Sequence, residues 1–220
     1  MNPYTGDLRR GLENVRHFAE LSEKMLAAEA SSLGNKLVVA AEKYPEAERQ
    51  DLFEAHAEDF FVLSDELPSI LRYSVVTRAQ SLVERYLDQT AQAYMELSKP
   101  SVRLQDIVGR GLRRSQKYLE KVAGIQFSEE MPEWVEILRL QELRNCIVHA
   151  DGYPREEAAT LKKWIKEAAG IRLSPGGVVT LEPGFSDAAI RSHMRFAEAF
   201  DALCKPLGLM AVVFSAITND

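Results

Sequence analysis

Two cysteines, Cys146 and Cys204, and four histidines are all that the 220-residue chain offers to a soft metal or a disulfide. Neither number nor spacing fits a disulfide framework or a zinc site, which points to a reducing compartment, the cytoplasm. A chain of this length removes roughly 70% of its unfolded surface from water on folding, so burial alone can stabilise it. Also lacking are long hydrophobic runs. Nothing approaches 18 uninterrupted apolar residues, and the start, MNPYTGDLRRGLENVRHF, has no signal-peptide core; spanning a membrane and secretion are both disfavoured. No glycine-rich phosphate loop, GxSxG elbow or HExxH pair occurs, and no ligand set suggests a metal or cofactor. Positive charge is in deficit, 27 Lys and Arg against 33 Asp and Glu, net −6. That excludes the overall basic field of a non-specific nucleic-acid coat and leaves room only for a local basic site.

What is present has helical period almost throughout. Apolar residues from Leu8 to about Ala41, among them Leu12, Val15, Phe18, Met25, Leu37 and Val38, recur at three- and four-residue steps, with Leu21 off the face. They predict one long helix, or two broken near Ser31-Ser32 or Gly34. Pro45 followed by acidic residues opens a second helix, PEAERQDLFEAHAEDFFVLSDEL, and Pro68 a third, running to about Leu97. VRLQDIVGRGLRRSQKYLEKVAG reads as a helix weakened at Gly109 and Gly111. The next starts at Pro132 and stops at Asp151-Gly152, and another spans Arg155 to Ala169. Only IRLSPGGVVTL changes period, into a β-hairpin. A last helix, about Asp187 to Leu203, precedes an apolar tail, LGLMAVVFSAI, that must pack on something. The expected class is all-α with one small hairpin, an N-terminal helical extension over 1–44 and one compact unit over 45–220.

His17, His56 and His193 stand alone and read as surface or satisfied core. Arg144-Asn145-Cys146-Ile147-Val148-His149 differs. At roughly 100° per residue Asn145 and His149 share a face one turn apart, Arg144 lies on the flank, and Leu140, Leu143 and Ile147 form the core stripe. A permanent cation, an amide and an imidazole suit phosphodiester chemistry, with proton transfer by the ring and charge stabilisation by the guanidinium. The same residues would equally serve as an ion pair and two helix-end caps. Cys146, among Leu143, Ile147 and Val148, reads as a small packed hydrophobe.

The run LRNCIVHADG resembles the signature of the HEPN superfamily, an Arg followed by a polar residue, commonly Asn, and a His four residues on. The earlier helix PSILRYSVVTRAQSLVERYLDQ resembles the family's upstream helix, and the helix, hairpin and last helix after the motif fit it too, over about residues 50 to 205. The resemblance implies a HEPN-like antiparallel helical bundle, usually homodimeric, and a metal-independent endoribonuclease of toxin–antitoxin or phage-defence systems that cleaves RNA by attack of its 2′-hydroxyl. It assigns Arg144, Asn145 and His149 as catalytic residues, with Glu84 at the upstream acidic position. It also allows an antitoxin or nucleotidyltransferase-type partner. The contrasting expectation is a non-catalytic module of the same type that binds nucleotide or protein.

Between Lys99 and Lys121 the chain carries Arg103, Arg110, Arg113, Arg114 and Lys117 as well, against only Asp106 and Glu120. Arg110, Arg113, Arg114 and Lys117 are therefore candidate RNA-backbone contacts, with a solvated face as the plainer alternative. The acidic stretch EAERQDLFEAHAEDFF reads as a solvated face.

Overall fold

The first apolar stripe forms one unbroken helix, α1 (Thr5–Ala41), which neither Ser31-Ser32 nor Gly34 interrupts. A computed structural model describes residues 2–127 and 131–207. Leu8, Leu12 and Ala19 are buried, with Val15 and Leu26 packed beside them. Phe18 and Met25, expected on this stripe, are instead 58% and 71% exposed. They stand roughly 100–120° round the helix from the Leu8–Leu12–Ala19 line, outside the arc that one neighbouring layer can cover. Val38 is likewise exposed.

The helix expected after Pro45 is not one helix. A 3-10 turn (Glu46–Glu48) leads to α2 (Arg49–Ala55), α3 (Ala57–Phe61) and a π turn (Val62–Glu66) that runs into α4 (Leu67–Ser98). No side chain between Glu46 and Glu66 is buried, so no packed stripe enforces a regular helix there. The Gly109 region also departs from expectation. A 3-10 turn at Leu104–Asp106, closed by Arg103 and Asp106, is followed by extended chain, and α5 begins only at Gly111 and ends at Lys121. Gly109 and Gly111 adopt φ of 129° and 54°, values that end regular helix.

α6 (Pro132–Ala150) starts and stops where its proline and glycine predict. Asp151 and Gly152 are both left-handed, and Gly152 N–H returns to Cys146 O at 3.2 Å, which satisfies a terminal carbonyl. Only glycine fits at 152, since an added Cβ would lie 2.2 Å from the Tyr73 hydroxyl. α7 (Ala159–Glu167) is shorter than its expected span. β1 (Ile171–Leu173) and β2 (Val179–Leu181) pair antiparallel, Ile171 opposite Leu181, and α8 (Phe185–Cys204) follows. The apolar tail expected to pack lies, from residue 208 on, outside the described residues.

The chain is thus mostly helical with one two-stranded hairpin. α4 is its axis, touching α1, α5, α6 and α8. One core, centred on Tyr86, Trp134, Phe196 and Phe200, unites these helices, and the stacked Phe196 and Phe200 rings have centroids 5.5 Å apart. α1 belongs to it, and its start is tied down by polar bonds: Asn2 Nδ2 donates to Thr90 Oγ1 at 2.7 Å, and Thr5 shares a 3.0 Å bond with the Tyr86 hydroxyl. A second core joins Val76 of α4 and Leu140, Leu143 and Ile147 of α6 to α7 and the hairpin. Arg72 braces it, giving Glu23 two bonds of 2.6 and 2.8 Å and Leu181 O one of 2.9 Å. Among the described residues no helix is long and apolar enough to cross a membrane.

Candidate active site

The second core decides which way the Arg144–His149 turn faces. Leu143 and Ile147 point into it, 0% and 8% exposed, so the intervening polar residues are turned outward. Asn145 and His149 line one cleft of about 440 Å³ with Glu142, Tyr153, Arg155 and Thr160, as their one-turn spacing requires. Arg144 lines a different hollow, of about 500 Å³, between α4, α5 and α6. The structure therefore brings Asn145 and His149 together, and places Arg144 and Glu84 together in the neighbouring hollow.

Asn145 is the link between them. Its Oδ1 accepts from Arg144 Nη1 at 3.1 Å and from Gln141 Nε2 at 3.2 Å. Among the described residues Arg144 Nε is buried without a partner, and so is the Nε of Arg114, another residue lining this hollow. Both arginines line the hollow, so their guanidinium groups bring two positive charges to it. Arg114 also reaches Asp88 Oδ1 at 3.4 Å, which it shares with Ser115 at 3.3 Å. Glu84 makes no hydrogen bond to Arg144 among the described residues. Its carboxylate lies against Gly111, where an added Cβ would come within 2.1 Å of Oε1. Gly111 opens α5, so the Glu84 charge complements the positive end of that helix dipole.

The basic run divides. Arg113, Lys117 and Lys121 are exposed at four-residue spacing on one face of α5 and Arg110 is exposed on the extended residue just before it, whereas Arg114 turns into the hollow. Arg103 is engaged by Asp106. Sequence reasoning missed Ser81, Arg85 and Asp88, which line the hollow from α4. With Glu84 they form a polar stripe at helical spacing inside a helix otherwise dominated by its apolar one, and that was the available signal.

Cys146 is buried, and burial pushes its thiol up, away from nucleophile behaviour. His56 meets Asp59 at the surface. His193 is fully buried, its Nδ1 2.6 Å from Ala189 O, and burial lowers its pKa to about 4. An unfolded histidine takes up its proton near 6.5 and this one only near 4, so acidification through that window favours the unfolded chain. Stability should fall by up to about 3 kcal/mol between pH 6.5 and 4 on this account. Urea midpoints at pH 7 and 4.5 test it, because His193→Gln should show the shallower pH dependence; equal slopes would refute the assignment.

Among the described residues no group of three or more His, Cys, Asp or Glu is placed to hold a metal ion. Compared with protein-family models, curated proteins and solved structures, the chain matches none.

Proposed function

We propose that this protein is an endoribonuclease of the HEPN type, working without a divalent metal, in a toxin–antitoxin or phage-defence setting in the cytoplasm. The observation that carries the reading is the arrangement round Asn145. An arginine that lines one hollow and donates to the amide oxygen stands on one side of the amide, and on the other lies a histidine in an open cleft. In this reading His149 moves a proton to or from the ribose hydroxyl and leaving oxygen. Arg144, with Arg114 and Arg85 round the hollow, holds the phosphate oxygens, whose charge grows as the 2′-hydroxyl attacks. The exposed face of Arg110, Arg113 and Lys117 guides the backbone toward the hollow. Glu84 sets the charge balance of that hollow.

Arg144 and His149 open into separate depressions of one protomer, which favours a homodimer in which two-fold pairing sets the arginine of one copy against the histidine of the other. An antitoxin or nucleotidyltransferase-type partner would then act by covering this surface. The direct test is incubation of the protein with an unstructured single-stranded RNA pool in EDTA. Fragments ending in 2′,3′-cyclic phosphate are expected, and activity that EDTA abolishes and magnesium restores would overturn the mechanism.

A further inference from the structure

A chain of hydrogen bonds runs from the interior of the bundle to the motif. His193 on α8 sets Nε2 2.9 Å from Gln80 Oε1. Gln80, on α4 and fully buried, donates from Nε2 to Gln141 Oε1 on α6 at 2.8 Å. Gln141 in turn donates to Asn145 Oδ1, the oxygen that also receives Arg144. We propose that Gln141, Gln80 and His193 are positioning residues that hold the Asn145 amide, and through it the Arg144 guanidinium, in the orientation phosphoryl transfer requires. The catalytic part of this proposal rests on the endoribonuclease reading; the coupling along the chain does not.

Polarity makes the coupling specific. A guanidinium can only donate, so it draws the oxygen of Asn145 toward itself. The nitrogen of Gln141 must then face that oxygen, the nitrogen of Gln80 must face Gln141, and the oxygen of Gln80 must face the ring of His193. The other ring nitrogen faces a second acceptor, Ala189 O, at 2.6 Å. A neutral imidazole has one N–H for these two oxygens. The Arg144 end of the chain draws that proton to Nε2, and the α8 carbonyl draws it to Nδ1. Reversing the buried Gln80 amide obliges Gln141 to reverse, because an unpaired polar group in the interior costs more than the turn. The outer links, Gln141 to Asn145 and Asn145 to Arg144, are exposed and transmit that reversal through their donor and acceptor pairing alone. The proton position on His193 and the atom that Asn145 presents to Arg144 are thereby linked.

Two measurements on the full chain test this. Nitrogen-15 spectra of the imidazole report where His193 holds its proton. The Nε2–H population should fall in Gln141→Met and in Asn145→Ala relative to wild type, and ring signals unchanged in both would overturn the relay whether or not the protein cleaves RNA. In single-turnover cleavage, Gln141→Met should slow the wild-type background about tenfold and the Asn145→Ala background less than about twofold, since a residue acting through Asn145 has nothing left to position. The same factor in both backgrounds would overturn the positioning role. If wild type leaves RNA intact, the endoribonuclease reading fails and the ring signals alone decide the relay. If Gln141→Met does not fold, Gln80→Met takes its place in both measurements.

Discussion

Alanine at Arg144 or at His149 should each slow RNA cleavage by at least about 10²-fold, the lower end for losing one electrostatic donor or one general acid–base group. Neither side chain is in a core, so thermal melting should move by no more than about 2 °C. Asn145→Ala should cost less, because an amide orients its neighbours and transfers no proton. Glu84→Ala separates two roles. Its carboxylate lies at the opening of α5 and shares the Arg144 hollow, so loss of melting temperature at unchanged rate would mark a helix complement, and the reverse a part in holding the arginine. The geometry adds a sharper test. If Arg144 and His149 meet only across a dimer, mixing the two inactive variants should restore about a quarter of wild-type activity, since half the dimers are mixed and one of their two sites is intact. No recovery after subunit exchange would place both residues in one protomer's site. Lowered melting temperatures with RNA intact in wild type and variants alike would instead favour a binding module.

An RNA pool whose 2′-hydroxyls are replaced by hydrogen should not be cut at all. Cys146 is buried with its thiol pushed up, and among the described residues neither the Thr160 hydroxyl nor the Ser81 hydroxyl, which bonds the Thr77 carbonyl, donates to a base that could activate it. In the proposed mechanism the nucleophile comes from the substrate, whose neighbouring 2′-oxygen is tethered beside the phosphorus at high effective concentration and attacks once the linkage is rotated into line. Binding should survive the substitution, because the arginines are proposed to contact phosphate, which both pools share. Its affinity should fall steeply with salt in both pools. Filter binding beside gel analysis of fragments separates the two effects. Cleavage of the deoxy pool would sink the mechanism, and equal loss of binding and cleavage would show that the 2′-hydroxyl serves recognition instead.

Much of this architecture could be read from the chain alone. Pro132 and Gly152 bound α6 because one lacks the N–H that a first helical turn does not need and the other tolerates left-handed backbone; both constraints are local. The change of period at Ile171 marked the hairpin for the same reason, and the i to i+4 spacing of Asn145 and His149 put them in one cleft. Periodicity failed where packing decides. It placed Phe18 and Met25 in the core although none of the described residues covers them, and it drew one helix after Pro45 where no described side chain is buried to hold one. Nor could spacing reveal that Arg144 opens toward Glu84, Arg85 and Arg114 rather than toward His149. Least legible was the line from His193 through Gln80 to Gln141, whose links join residues 113 and 61 positions apart. A sequence states which side chains have donors and acceptors and which face of a helix they share. Only the packing of α4, α6 and α8 decides which of them meet, because hydrogen bonds act over about 3 Å and the chain brings distant residues that close only when its cores have formed.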